Sequence, residues 1–262
     1  MTIYIKELKQ SIKSLLIWTC SIGFMILICV LMFPEMKNEM DSVSNLFSNM
    51  GGFTAAFGMD KLNFGELMGF YGIESGNILA IGGGFFAALL GVSALAKEER
   101  ERTAEFLLTH PVSRASIVSQ KLLSVFSQIL IMNCLVIIIS LISSKVIGEE
   151  LPMREFMLLH MAYLILQLEI ACICFGISAF IRRGSIGVGL GLALAFYFMN
   201  IVCNISEQVD FLKYITPYAY ADASKVIPNS KLEMNLVMLG VLFSMLGVIT
   251  AYVKYTKKDI AA

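Results

Sequence analysis

A chain of 262 residues with 57% apolar and 15% charged side chains carries more apolar surface than a soluble core of that size can hide. Lipid must solvate most of it, which excludes an ordinary water-soluble domain. The formal net charge of zero gives no reason to expect nucleic acid, and the side of the membrane on which each charge lies matters more than the sum.

Residues 2–14 come first. Tyr4, Leu8, Ile12 and Leu15 recur at helical spacing on one face, with Lys6, Lys9, Gln10 and Lys13 on others. This predicts a basic amphipathic helix lying in the inner interface; a plain extension of the first span is the other reading. The apolar run from Leu15 to Phe33 is longer than the ~7–15 residues of a cleaved signal segment. No small-x-small site follows it, so it is expected to be a retained span.

Crossing a bilayer takes ~20 mostly apolar helical residues. Six segments qualify, at about 15–34, 75–96, 122–145, 156–181, 185–205 and 235–253. The expected fold is an all-α membrane protein, one transmembrane domain over 1–262, with no periodic repeat. Between the first two spans, residues 35–74 mix acids (Glu35, Glu39, Asp41, Asp60, Glu66) with apolar pairs such as Leu46-Phe47 and glycines at 51, 52, 58 and 65. Short amphipathic helices broken by glycine are expected there. In the second span, Gly82-Gly83-Gly84 has no following Lys-Ser/Thr and is no phosphate loop; it reads as a flexible point.

The stretch from Lys97 to Lys121 is dense in both charge signs and then carries Phe106, Leu107 and Leu108. Pro111 stops that helix and Ser113 can cap the next. The result is a charged helix with an apolar tip, suited to docking in a groove on another protein; a solvated loop with ordinary salt bridges is the alternative.

The third span holds Asn133, and the fourth holds Gln167 and Glu169. A charge at mid-membrane costs ~2.5–3.5 kcal/mol on insertion scales, so Glu169 must face the bundle or be protonated. Gln167, Asn133 and Asn200 are the polar groups expected to meet it. Two roles stay open for the acid, a substrate or proton contact and an interhelical hydrogen bond. Only Arg182, Arg183 and Gly184 separate the fourth and fifth spans, which predicts a tight helical hairpin. In the fifth, Gly187 and Gly191 form a small-xxx-small pair beside Gly184, Gly189 and Ala193, suited to close helix approach within one subunit or between two. The outer segment 206–234 contains Pro217, Pro228 and several aromatics.

The six cysteines (Cys20, Cys29, Cys134, Cys172, Cys174, Cys203) all fall in apolar stretches and read as small apolar side chains. Cys172 and Cys174 point to nearly opposite helix faces and cannot share a metal. His110 and His160 have no partner at ligand spacing, so no metal site is expected. With the N-terminus inside, 13 Lys and Arg fall on the inner side and seven on the outer. Both termini are therefore expected in the cytoplasm.

The Lys97–Lys121 stretch resembles the signature of ABC-2 type transporter permeases, in which an acidic cluster, Gly-Thr, a Glu, two leucines, Pro-Val-Ser and an Arg follow the second span. Here Glu98, Glu99, Glu101, Thr103, Glu105, Leu107, Leu108, Pro111, Val112, Ser113 and Arg114 stand in the matching places. Arg102 departs from it, standing where the family usually has glycine. Ile215-Thr216-Pro217-Tyr218-Ala219-Tyr220-Ala221-Asp222 is similar to the family's Pro-aromatic-x-aromatic-x-Asp stretch before the last span, and Lys257-Lys258-Asp259 to its basic end.

The resemblance implies a pair of permeases, identical or homologous, each bound to an ABC ATPase subunit in the cell membrane of a bacterium. The inner loop would be the coupling helix, its contacts made by Glu98, Glu99, Glu101, Arg102, Glu105, Phe106, Leu107, Leu108, Pro111 and Arg114. In such a pair the first and fifth spans meet, which offers Gly187 and Gly191 as a dimer face. This chain has no Gly-x-x-x-x-Gly-Lys-Ser/Thr loop, so ATP and Mg are expected on the partner, and no cofactor here. The expected cargo is amphipathic or peptide-like, moved outward. The alternatives are a membrane receptor or immunity protein without transport, and an intramembrane enzyme. The last would need a second acid or a histidine beside Glu169, and His160 lies nine residues, about 13 Å, away along a helix.

Overall fold

The computed structural model describes residues 2–39, 51–97, 99, 112–181 and 186–257. Among them the chain is helical, without strands. Six helices are long and apolar enough to cross a membrane: α1 (Thr2–Asn38), α3 (Leu67–Ala94), α4 (Arg114–Val146), α5 (Met153–Ser178), α6 (Ile186–Ile205) and α8 (Met234–Lys257). The short α2 (Gly51–Ala56) precedes α3. Between α6 and α8 lie two 3-10 turns, Glu207–Tyr214 and Pro217–Ala219, and the short α7 (Ala223–Asn229).

The central helix is α5, which packs most extensively on α3 and α8. Phe156, Leu159, Leu166, Ile170 and Phe175 along it have no exposed surface. The outer helices keep one apolar face open, as Met238, Leu242, Met245 and Ile249 do on α8. Such faces are what lipid tails cover.

Four expectations are corrected by the packing. Residues 2–14 are not a separate interfacial helix. They form the first turns of α1, 37 residues and about 55 Å long at ~1.5 Å per residue. No Gly or Pro interrupts residues 2–33 apart from Gly23, and the segment is held against α4. Tyr4 OH lies 3.0 Å from Ser127 Oγ, and Lys121 Nζ donates to Glu7 Oε1 at 3.0 Å.

The second span begins at Leu67, not at 75, because Leu67, Met68, Phe70, Tyr71 and Ile73 are all buried in the same helix. The hairpin expected of the fourth and fifth spans does not form along their length. Residues 182–185 lie outside the described set, and α6 runs along α3 instead of α5. Its Gly189 backs onto Ala88 and Val92.

The glycine run at 82–84 is not a flexible point, since α3 continues unbroken through it. A methyl group at Gly83 would collide with the Gln167 amide, so the missing side chain lets α5 seat its polar group against α3. At Gly82 a methyl group would meet only the movable end of Ile22, at 3.1 Å. Gly83→Ala is therefore expected to cost about 1–3 kcal/mol by overpacking. Gly82→Ala should be neutral or gain up to about 1 kcal/mol of helix propensity. Thermal denaturation of the two detergent-solubilised variants, followed by loss of monodisperse protein, checks this; equal shifts would contradict it.

Candidate functional site

Polar groups inside the bundle cluster on α5, each aimed at a different neighbour. His160 Nε2 lies 2.9 Å from Tyr71 OH on α3, and Tyr71 also meets Ser140 Oγ on α4 at 2.8 Å. One turn pair further on, Gln167 Oε1 accepts from Asn133 Nδ2 at 2.6 Å. Glu169 is two residues on and so points to another face, toward α8. There Gly240 leaves the room its carboxylate occupies, since any side chain at that position would overlap it.

Glu169 does not meet Gln167, Asn133 or Asn200, as its sequence neighbourhood suggests. Its partner is Tyr220, whose hydroxyl donates to Glu169 Oε2 at 2.8 Å. The phenol O–H is the donor and the carboxylate oxygen the acceptor. Asn133 and Gln167 pair with each other, and Asn200 Nδ2 donates to Asp222 Oδ2 at 3.2 Å.

Tyr220 reaches α5 because the segment after α6 folds back into the bundle. Thr216 starts the turn by accepting from Tyr218 N at 3.3 Å while its hydroxyl donates to Phe196 O at 2.7 Å. Tyr218 and Tyr220 are then buried, Tyr218 OH donating to Ala80 O of α3 at 3.3 Å. Asp222 closes the segment as the N-cap of α7, accepting from Ser224 N at 2.9 Å and from Asn204 Nδ2 at 2.7 Å. Irregular backbone at membrane depth is tolerated when buried in protein in this way. The Pro-aromatic-x-aromatic-x-Asp stretch is thus a structural plug joining α3, α5 and α6.

Of the loop residues, Glu98, Glu101, Arg102, Glu105, Phe106, Leu107, Leu108 and Pro111 lie outside the described residues, as does His110. Glu99 follows the end of α3 in a helical position. Ser113 is the N-cap of α4, accepting from Ser116 N at 3.2 Å. Arg114 donates to Thr256 O near the end of α8 at 3.2 Å. Lys121, nearly fully buried, ties Glu7 of α1 to Ala94 O of α3, with Nζ distances of 3.0 and 2.8 Å. On α6, Gly187 and Gly191 face outward, and a methyl group at Gly191 would meet nothing within 4 Å. Packing inside this subunit therefore does not use Gly191.

One residue is missed in the sequence. Glu74 belongs to α3, so Glu169 is not alone as an acid within the spans. It is half-buried on the wall of a groove of about 560 Å³ between α1, α2 and α3. Tyr71 and Ile73 just before it are the signal that the span starts earlier.

The Glu169–Tyr220 bond makes a specific expectation. Glu169→Gln keeps an acceptor oxygen and should leave stability nearly unchanged. Glu169→Leu and Tyr220→Phe should each cost about 1 kcal/mol, the scale of hydrogen bonds between membrane helices. The double variant should lose no more than either single one, read from thermal unfolding in a double-mutant cycle. Additive losses would mean the two side chains act independently.

The sequence has relatives among known proteins. The chain is 24% identical over 208 residues to the uncharacterized protein YhcI of Bacillus subtilis (strain 168), a match covering 68% of this chain and 64% of that protein. The match thus spans less than two thirds of that relative. The profile described as ABC-2 family transporter protein matches residues 1–260, nearly the whole chain, and this multi-pass membrane protein belongs to that family.

Proposed function

We propose that this chain is one transmembrane domain, the permease subunit of an ABC exporter powered by a separate ATPase subunit. A second permease, identical or homologous, completes the pathway. The chain itself hydrolyses nothing, and ATP and Mg reside on the ATPase. The cargo is amphipathic or peptide-like. Family membership carries the transport reading, and the lack of a phosphate-loop motif in the sequence supports a partner for the hydrolysis.

The mechanical support lies at the end of the bundle that flanks residues 98–111. Before that stretch, Lys97 donates to Gln10 at 2.7 Å. After it, Arg114 holds α8 and Lys121 holds α1 and α3. A force on the intervening segment would therefore be delivered to four helices at once. A loop of mixed charge with an apolar Phe106-Leu107-Leu108 tip has the composition to dock on an ATPase, the apolar anchors carrying affinity and the rim charges orientation.

In this reading both termini and residues 97–121 are cytoplasmic, while 35–66 and 206–233 face outward. Ser113→Cys, on a cysteine-free background, should resist an impermeant thiol reagent in intact cells and react once the membrane is opened. Labelling in intact cells would reverse the topology.

Coupling is checked separately. Leu107→Asp buries an unpaired charge in the interface and should abolish co-purification of the ATPase or its transport-linked hydrolysis, a loss of about 2 kcal/mol or more of binding. Glu98→Gln should have a mild, salt-dependent effect. Full retention of the partner and of coupled activity in Leu107→Asp would remove the loop as the coupling element.

A further inference from the structure

Glu74 is a carboxylate in the outer half of a membrane helix that has, among the described residues, neither a hydrogen-bond donor nor a cation against its side chain. Isolated charges at such a position are costly, and they persist where a pathway or a ligand uses them. Glu169 shows how this same bundle treats a carboxylate that is purely internal, with a bonded hydroxyl and a glycine-made niche. Glu74 has neither.

What Glu74 faces instead is a groove of about 560 Å³, within the size range of small-molecule sites. Its other walls are mostly apolar, Trp18, Met25 and Phe53 among them, with Ser21, Asn77 and Tyr197 as polar members. Met25 and Phe53 are about half exposed, at 53% and 48%, so the groove is open along its flank. Methionine and aromatic walls adapt to apolar bodies of varied shape. Position along the groove follows from α3. Trp18 lies 6.0 Å from Phe86, three turns beyond Glu74 on the same helix. Residues 74 and 86 are separated by about 18 Å of helix. The groove therefore has Glu74 toward one end and the Trp18 indole as its aromatic end, roughly 18 Å apart by that spacing.

We propose that this groove binds amphipathic organic cations, with the cationic head at Glu74 and the apolar body running toward Trp18. An anionic amphipath of the same shape is repelled at the Glu74 end, and a neutral one leaves the carboxylate uncompensated. Calling the occupant cargo rests on the transport reading above; binding does not.

Trp18 is the only tryptophan in the chain, so its fluorescence reports on the aromatic end alone. The full-length protein in phosphatidylcholine nanodiscs is titrated with ω-bromododecyl trimethylammonium, whose bromine quenches an indole on contact. Saturable quenching is expected, weakened about five-fold or more in Glu74→Gln and retained in Glu74→Asp. The sulfonate of the same chain length should give only the unsaturable quenching of lipid partition. Equal affinity in Glu74→Gln, or saturable binding of the sulfonate, overturns the proposal, and the sulfonate arm needs no variant to fold. So does loss of the response when phosphatidylethanolamine is added, which would assign the groove to lipid. Cross-linking of Met25→Cys between two copies that the cation cannot block would place a second permease there and overturn the proposal as well. Binding that depends on Glu74 but fails to stimulate ATP hydrolysis by the assembled permease–ATPase complex upholds the site and counts against the transport reading instead.

Discussion

Most of α5 is buried, so each polar side chain on that helix must find its partner inside the protein or carry a large desolvation penalty. The rest of the bundle is arranged around those partners. His160 requires Tyr71 of α3, which in turn engages Ser140 of α4. Gln167 requires Asn133 of α4 and the side-chain-free notch at Gly83. Glu169 requires Tyr220 from beyond α6 and the notch at Gly240 of α8. Apolar packing in lipid has little preference for one helix rotation over another, because lipid tails solvate leucine as well as leucine does. These three directional contacts give α3, α4 and the returning segment a register against α5 that van der Waals contact alone would not select, and the notch at Gly240 seats α8 against the same carboxylate.

The end of the bundle around Lys121 is built on a different interaction. Lys121, 1% exposed, is held by Glu7 and by the free carbonyl of Ala94 at the end of α3. A cation there meets the negative end of the helix dipole as well as a carboxylate. Around it, Ile3, Leu95, Ile117, Phe175, Ala179, Ala251 and Tyr255 form an apolar cluster separate from the main core. The first turn of α1 is in that cluster, which is why residues 2–14 continue α1 and stand along α4. The amphipathic pattern read in them is real, but its apolar face is used by protein.

That difference shows what the sequence can and cannot convey. Span number and approximate bounds are legible because hydrocarbon thickness sets a length that composition must meet. The local cap at Ser113 is legible too, because its partner Ser116 is three residues away. Tertiary partners are not. Tyr220 reaches Glu169 across 51 residues, from a stretch with a proline that reads as an outer loop. Its two tyrosines look like surface aromatics, and only the return of the chain through Thr216 and Asp222 brings them inside. The inner-loop signature points to the family; most of its residues lie outside the described part of the structure, so their geometry adds nothing to that assignment.

The two intramembrane carboxylates carry this contrast to its end. Sequence reasoning singles out Glu169 because it sits in mid-span, and passes over Glu74 because the apolar run is counted from the residue after it. Depth is the weaker criterion. Glu169 is 2% exposed, is bonded by Tyr220 and leaves no space at Gly240 for a ligand to approach from that side. Its Oε2 is bonded to the returning segment, and its carboxylate fills the notch at Gly240 of α8. Glu74 lies nearer the helix end but opens on a groove and has no bonded partner among the described residues. An acid that stabilises a fold is expected to be satisfied in the empty protein, whereas one that selects a ligand must keep its strongest interaction in reserve. By that criterion Glu169 fits a packing role, and Glu74 the ligand-binding role proposed for the groove.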